Sequence, residues 1–168
     1  HYDYHRIEPE LAERFEVSEE GRVITFHLRR DATFHDGTPV TAEDVKWSLD
    51  RVVSNPGGRS QFSTGSMTDP AQFTILGPHT VRVTTPRADR FTLPNLAATF
   101  CVIVNSKLVR ERAAAGDAWG AEFLRTNVAG GGAFRLEAQV PGQSVTLARF
   151  DGWKSGPLPG FRRVLWQV

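Results

Sequence analysis

Several stretches of the chain bring acid–base or ligating side chains together. In FHDGTPVTAEDV, Phe34 to Val45, His35 stands beside Asp36, and a glycine turn and two further carboxylates, Glu43 and Asp44, follow. Imidazole and carboxylate are the parts of a general acid–base pair, but neighbours on a turn point apart and no third member stands at a fixed offset. The same residues make an efficient turn. Gly37 tolerates positive φ, Asp36 can bond its own downstream backbone, and Pro39 stiffens the approach to the next element. On this stronger reading His35 packs or hydrogen-bonds locally.

HYDYH puts His1, Asp3 and His5 on one side of an extended segment, a spacing that holds a metal only where three ligands converge. At a chain end, fraying is the stronger expectation. AGGGAF carries Gly130 to Gly132, yet phosphate cradles run from strand through glycines into a helix, and here the order is helix first and strand after. Neither this stretch nor NPGGRSQ is followed by Lys–Ser or Lys–Thr. There is no G-x-S-x-G elbow and no H-E-x-x-H, and the serines of STGSM have no visible base. The sequence therefore yields no catalytic residue, no metal ligand set and no cofactor. Trp47, Trp119, Trp153 and Trp166 are spread along the chain and read first as packing residues, with room for one or two on a ligand surface.

Composition narrows the field. With 168 residues and 40% hydrophobic content the chain can form one compact domain or two small lobes. Twenty basic against 19 acidic side chains give a net charge of +1, which argues against nucleic acid as a partner. One cysteine, Cys101, excludes an internal disulfide framework and leaves the compartment open. No apolar run approaches the roughly 20 residues that cross a bilayer. The ends, His1 without an initiator Met and FRRVLWQV with Val164, Trp166 and Val168 alternating, read as those of a piece of a longer protein.

The elements that would position these residues are strands interrupted by a few helices. RVITFHLR alternates Ile24, Phe26 and Leu28 with Thr25, His27 and Arg29, a half-buried strand. Thr41, followed by Glu43 and Asp44, begins a helix over 41–53 whose Val45, Leu49 and Val52 share a face. SNPGGRSQFSTGSMTDP reads as a long surface loop. HTVRVTT alternates, LPNLAATFCVIVN ends in an apolar run suited to a buried strand, and Asn105 caps a short helix through Ala115. A further helix is expected over 118–124. FRLEAQVPGQSVTLAR makes a hairpin with Phe134, Leu136 and Ala138 on one face, turning at Pro141–Gly142. The fold class is mixed α+β, with several mostly antiparallel strands.

The order of these motifs carries a resemblance. PELAERFEVSEEGRVITFHLRRDATFHDGTPVTAEDVKWSLDRV, residues 9–52, resembles the N-terminal lobe of the family-5 extracytoplasmic solute-binding proteins of peptide and nickel ABC importers. That family's LAE-x-[WF] opening, HLR strand end, FHDG turn and T-A-E-D-V helix stand here at Leu11–Phe15, His27–Arg29, Phe34–Gly37 and Thr41–Val45. NVAGGGAF sits where the family has a Pro-Val-Gly-Thr-Gly-Pro-Tyr segment, and ARFDGWKSGPLP where it has Asp-x-Tyr-Trp-x-Gly. Gly131, Ala133 and Gly152 depart from the usual Thr, Pro and Tyr.

The resemblance implies a two-lobed, extracytoplasmic receptor, monomeric at full length, which captures a peptide or related small solute without covalent chemistry and delivers it to membrane permease subunits. It implies no cofactor and no nucleic-acid partner. Residues 1–168 would form part of one lobe; the export signal or lipid anchor, the first strands, the hinge and the second lobe lie outside. In such a receptor FHDG is architecture. Gln61 and Phe62, with Ser66 and Met67 behind them, are the expected ligand-side residues, an aromatic face with hydrogen-bonding groups; the competing reading is an ordinary loop with Phe62 tucked inward. A ligand-sensing domain of a transcriptional regulator with the same fold is the alternative function, since fold alone does not fix the site.

Overall fold

The computed structural model describes residues 7–167, so the His1, Asp3 and His5 spacing, read as a frayed end, lies outside the described residues. The chain divides into two compact units. One comprises the residues up to Arg30 together with Thr41–Ile103, the other Asp31–Val40 together with the residues from Val104 onward.

The first unit is an antiparallel sheet of β1 (Ala12–Ser18), β2 (Val23–Leu28), β3 (Phe73–Gly77) and β4 (Thr80–Thr84), in the order β1-β2-β4-β3. β4 shows the period-2 rule plainly: Val81 and Val83 are fully buried, while Arg82 and Thr84 face out. β2 lies between β1 and β4. It buries Ile24 and Leu28 as expected, but Val23 is buried as well and Thr25 and His27 are only half-exposed, so its second face is partly covered.

Helix α1 (Ala42–Ser54) begins one residue after the sequence expectation because Thr41 is its cap. The Asp44 carboxylate accepts from the Thr41 amide at 3.0 Å and from its hydroxyl at 2.8 Å, closing the reciprocal half of a capping box. Ala42, Val45, Leu49, Val52 and Val53 then enter a core shared with Leu28, Phe62, Met67, Phe73, Val81 and Val83.

The stretch expected as a surface loop lies largely at the surface but is partly helical. Pro56–Ser63 forms α2, with proline in the first turn, where its missing N–H costs nothing. A Cβ at Gly58 would lie 2.5 Å from the Val52 carbonyl oxygen, so this glycine, which read as a loop signal, is what lets α2 pack against the end of α1. Phe62 and Met67 are fully buried.

A second correction concerns the apolar run at Phe100–Val104. Phe100 lies in a turn and Cys101–Val104 belongs to no strand. The first unit ends at Ile103 and the second resumes at Val104, and the bonds at either end of the run, Cys101 N–H to Ala98 O and Asn105 N–H to Ala129 O, are turn and loop contacts. Upstream, Thr92–Leu96 forms α3. Cys101 packs against the core, and burial pushes its thiol up to about 12. A thiol reagent at pH 8 is therefore expected to label Cys101 slowly in the native protein and rapidly in denaturant; equal rates would contradict the packing.

In the second unit Asn105 caps α4 (Ser106–Arg112), its side-chain oxygen accepting from the Leu108 amide at 3.0 Å. This helix stops three residues short of Ala115. The next, α5, spans Ala121–Thr126 rather than 118–124, because Gly120 takes φ +60 and Asp117 receives the Glu122 amide there. β5 (Phe134–Val140), β6 (Ser144–Arg149) and β7 (Arg163–Gln167) form an antiparallel sheet in chain order. The expected hairpin turn is present, with Gln143 N–H bonded to Val140 O and Gly142 at φ +69. A register shift between Leu136 and Ala138 breaks the expected single face, and Ala138 is exposed. Trp166 on β7 is 69% exposed.

Candidate ligand-side surface

The FHDG turn resolves into scaffold within the second unit. Phe34 is buried, and its amide and carbonyl close the turn with Thr38 O and Gly37 N–H. His35 donates from Nε2 to Gly132 O at 2.9 Å, its amide bonds Gly130 O, and its ring meets Phe150 edge-on at 5.1 Å. The triple glycine is thus a docking strip for this turn. A Cβ at Gly131 would lie 2.7 Å from Thr33 O, so the close approach of this strip to the turn calls for a residue without a side chain.

Asp36 accepts from the Thr38 amide and hydroxyl and from Asn105 Nδ2 at 2.8 Å. Burial alone would push this carboxyl up; the hydrogen bonds from Thr38 and Asn105 outweigh it and hold the acid below its ordinary value of 3.8. A folded-state value below the unfolded one adds stability that is fully present above pH 3.8 and is lost as pH falls through the lower folded value. Melting curves taken between pH 5 and pH 2 are therefore expected to fall more steeply for the native protein than for Asp36→Asn, which has no charge to lose. Parallel curves would show that the carboxylate contributes no pH-dependent stability.

In the first unit, polar contacts converge on the end of α2. Gln61 is exposed at the surface, its carbonyl receiving Thr64 Oγ1 at 2.7 Å and Asn95 Nδ2 at 3.2 Å. Phe62 lies beneath it, meeting Phe100 edge-on at 5.6 Å. Phe100 is itself 37% exposed and Val102 56%. Thr92 Oγ1 donates to Gly65 O at 2.8 Å.

Ser66 is buried and takes φ +61, a left-handed conformation unusual for a residue with a side chain. Its hydroxyl donates to Asp89 Oδ2 at 2.8 Å and accepts from Arg87 Nε at 3.0 Å, while its carbonyl receives Gln72 Nε2. The Phe91 amide and then the Ser66 hydroxyl hold the Asp89 carboxyl below its ordinary value. Such a conformation costs on the order of 1–3 kcal/mol and persists here because these bonds fix it.

Of the four residues read from the sequence, Gln61 is exposed, whereas Phe62, Ser66 and Met67 are buried, so Phe62 takes the inward position of the competing reading. The sequence reading missed Arg87, Asp89 and Asn95. The signal for Arg87 and Asp89 was the charged stretch PRADRF directly after an alternating strand; Asn95, four residues beyond it, had none. Among the described residues no group of three or more His, Cys, Asp or Glu is placed to hold a metal ion, and no helix is long and apolar enough to cross a membrane.

Comparison with known proteins gives these features a context. The chain is 35% identical over 160 residues to the probable D,D-dipeptide-binding periplasmic protein DdpA of Escherichia coli K12, covering 94% of this chain and 29% of that protein. It is similar to the solved structure of AgaA from A. tumefaciens R10 in complex with agropinic acid, with a TM-score of 0.77, 31% identity, and 96% of this chain against 31% of that one. MoaA from the same organism, in complex with mannopinic acid, gives a TM-score of 0.76 at 32% identity over 95% of this chain and 30% of that one. The chain thus spans less than a third of the length of these relatives. The mixed α+β architecture is that of the binding proteins it matches. The model of the bacterial extracellular solute-binding proteins, family 5, middle region, matches residues 6–168, and the chain belongs to that family.

Proposed function

We propose that this chain is part of one lobe of a receptor that captures a peptide or related small solute outside the cytoplasm and delivers it to the permease of an ABC importer. The receptor binds without covalent chemistry and acts as a monomer. One observation carries the placing of its ligand side: the end of α2, where Gln61 and Phe100 face out above a buried Phe62 and are held by the bonds around Ser66 and Asn95. This is the half-apolar, half-polar lining that solute pockets use. Gln61 supplies the direct contact, and Phe62, Ser66 and Met67 fix its position. DdpA is a probable D,D-dipeptide-binding protein, which supports the peptide class.

Native mass spectrometry of the full-length protein, purified without denaturation from several growth media, tests the reading. A co-purifying peptide or other small solute is expected, with reduced retention in Gln61→Ala. Ligand-free protein from every medium, together with no response to a dipeptide library, would sink the receptor reading.

A further inference from the structure

Beside the end of α2 the first unit has an open groove of about 400 Å³, lined by Thr64, Arg87, Ala88, Asp89, Arg90 and Phe91. Its charges are not balanced at the surface. The Asp89 carboxylate is turned inward, its side chain 10% exposed and occupied by the Ser66 hydroxyl and the Phe91 amide. Arg87 gives its Nε to Ser66 and approaches Asp89 at 3.5 Å with one terminal nitrogen, while its side chain, 74% exposed, lines the groove. Arg90 is exposed and has no ion-pair or hydrogen-bond partner among the described residues.

The rest of the lining limits what can enter. Thr64 already donates its hydroxyl proton to Gln61 O and accepts from Asn95, so it offers no donor. Phe91 is 54% exposed, and its ring forms an apolar wall next to the free guanidinium. One uncommitted planar cation, a second partly committed one and an aromatic face suit a singly charged, planar anion attached to an apolar body. A dianion such as phosphate would leave charge unmatched against a net surface excess of one cation, with the inward Asp89 close behind.

We infer that this groove is a carboxylate subsite, in which Arg90, assisted by Arg87, holds the carboxylate of the captured solute while Phe91 packs against its apolar part. The inference deepens the receptor reading and rests on it for the class of ligand. The openness of the groove fits a half-site contributed by one lobe. The network around Ser66 positions the Arg87–Phe91 loop, so the guanidinium is presented from a fixed backbone rather than a floppy one.

The test is a titration of the full-length protein with phenylacetate, following the side-chain Nε–H resonances of Arg87 and Arg90 by NMR, with phenylacetamide and inorganic phosphate as comparison probes. Phenylacetate is expected to shift Arg90 saturably, at about the millimolar level usual for so few contacts. The neutral amide should leave it unmoved. Arg90→Gln should weaken phenylacetate binding roughly tenfold or more, the loss of a charge-assisted contact, with an unchanged melting temperature. No Arg90 response to phenylacetate, an equal response to phenylacetamide, or a stronger response to phosphate would each overturn the assignment. The two readings fail separately. A groove that ignores phenylacetate in a protein that still co-purifies with a solute leaves the receptor standing, and an Arg90 that answers phenylacetate in a protein that never carries a solute leaves the groove standing.

Discussion

Phe62→Ala is expected to destabilise the first unit by about 3–5 kcal/mol, the cost of removing a fully enclosed aromatic side chain. Phe62 is fully buried, belongs to the cluster built by α1, β3 and β4, and braces Phe100 through an edge-on contact. Its neighbours come from several elements, so they cannot all move in to fill the space, and the cavity term adds to the lost transfer energy. The loss should reach function as well as stability. Without the ring beneath it, the end of α2 loses the support that sets Gln61 at the surface. Urea unfolding followed by tryptophan fluorescence measures the first effect, and solute affinity in the folded fraction measures the second. A midpoint shift worth less than about 1 kcal/mol would mean that the site collapses freely and that Phe62 is not a pillar of this core.

Gly65→Ala should cost about 3 kcal/mol, at the upper end of the range for overpacking. A Cβ there would lie 2.8 Å from Asn95 Nδ2, 2.9 Å from Phe91 O and 2.9 Å from Thr92 Cα. Two of these atoms are backbone and cannot swing aside; the third belongs to an amide already bonded to Gln61 O and Thr64 Oγ1. The added methyl must therefore push α3 away from the end of α2, breaking the Thr92–Gly65 hydrogen bond as well. Gly57→Ala is the matched control. It lies in the first turn of the same α2, with nothing within 4 Å of its would-be Cβ, and is expected to stabilise by about 0.4–1 kcal/mol. Chemical denaturation of both variants settles the point, and a Gly65→Ala protein as stable as the parent would contradict the close packing of α2 on α3.

What could be read from the sequence follows the strength of the local physics. The start of α1 was legible because Thr41, Asp44 and the Val45–Leu49–Val52 spacing all state the same thing. The hairpin over β5 and β6 was legible because proline and glycine each meet a specific demand at its turn. By contrast β1 and β3 were not read as strands: β1 is largely exposed along both faces, and β3 buries only Phe73 while Thr74, Ile75 and Leu76 face out. Edge strands give a weak alternation because neither face need be apolar. α2 was misread because Gly58, taken as a loop signal, answers to the close approach of Val52 at the end of α1 rather than to a turn. The same holds for the candidate site. Gln61, Phe62, Ser66 and Met67 lie in one short segment, but their partners Arg87, Asp89 and Asn95 stand more than 20 residues away and become visible only when the chain is folded.

The FHDG turn has a consequence for the order in which the molecule can assemble. Residues 31–40 interrupt the sequence of the first unit, yet their partners are Asn105, Gly130 and Gly132, the last of them 97 positions further along. As the chain leaves the ribosome, the first unit has all of its own residues once Ile103 has emerged, while the turn must wait as a tethered excursion for a strip that does not yet exist. Closing that excursion is a late, entropically costly event. In refolding from denaturant, the amide of His35 should accordingly gain protection from hydrogen exchange after those of Val81 and Val83, so that the most recognisable motif in the sequence is among the last parts of the molecule to find its place.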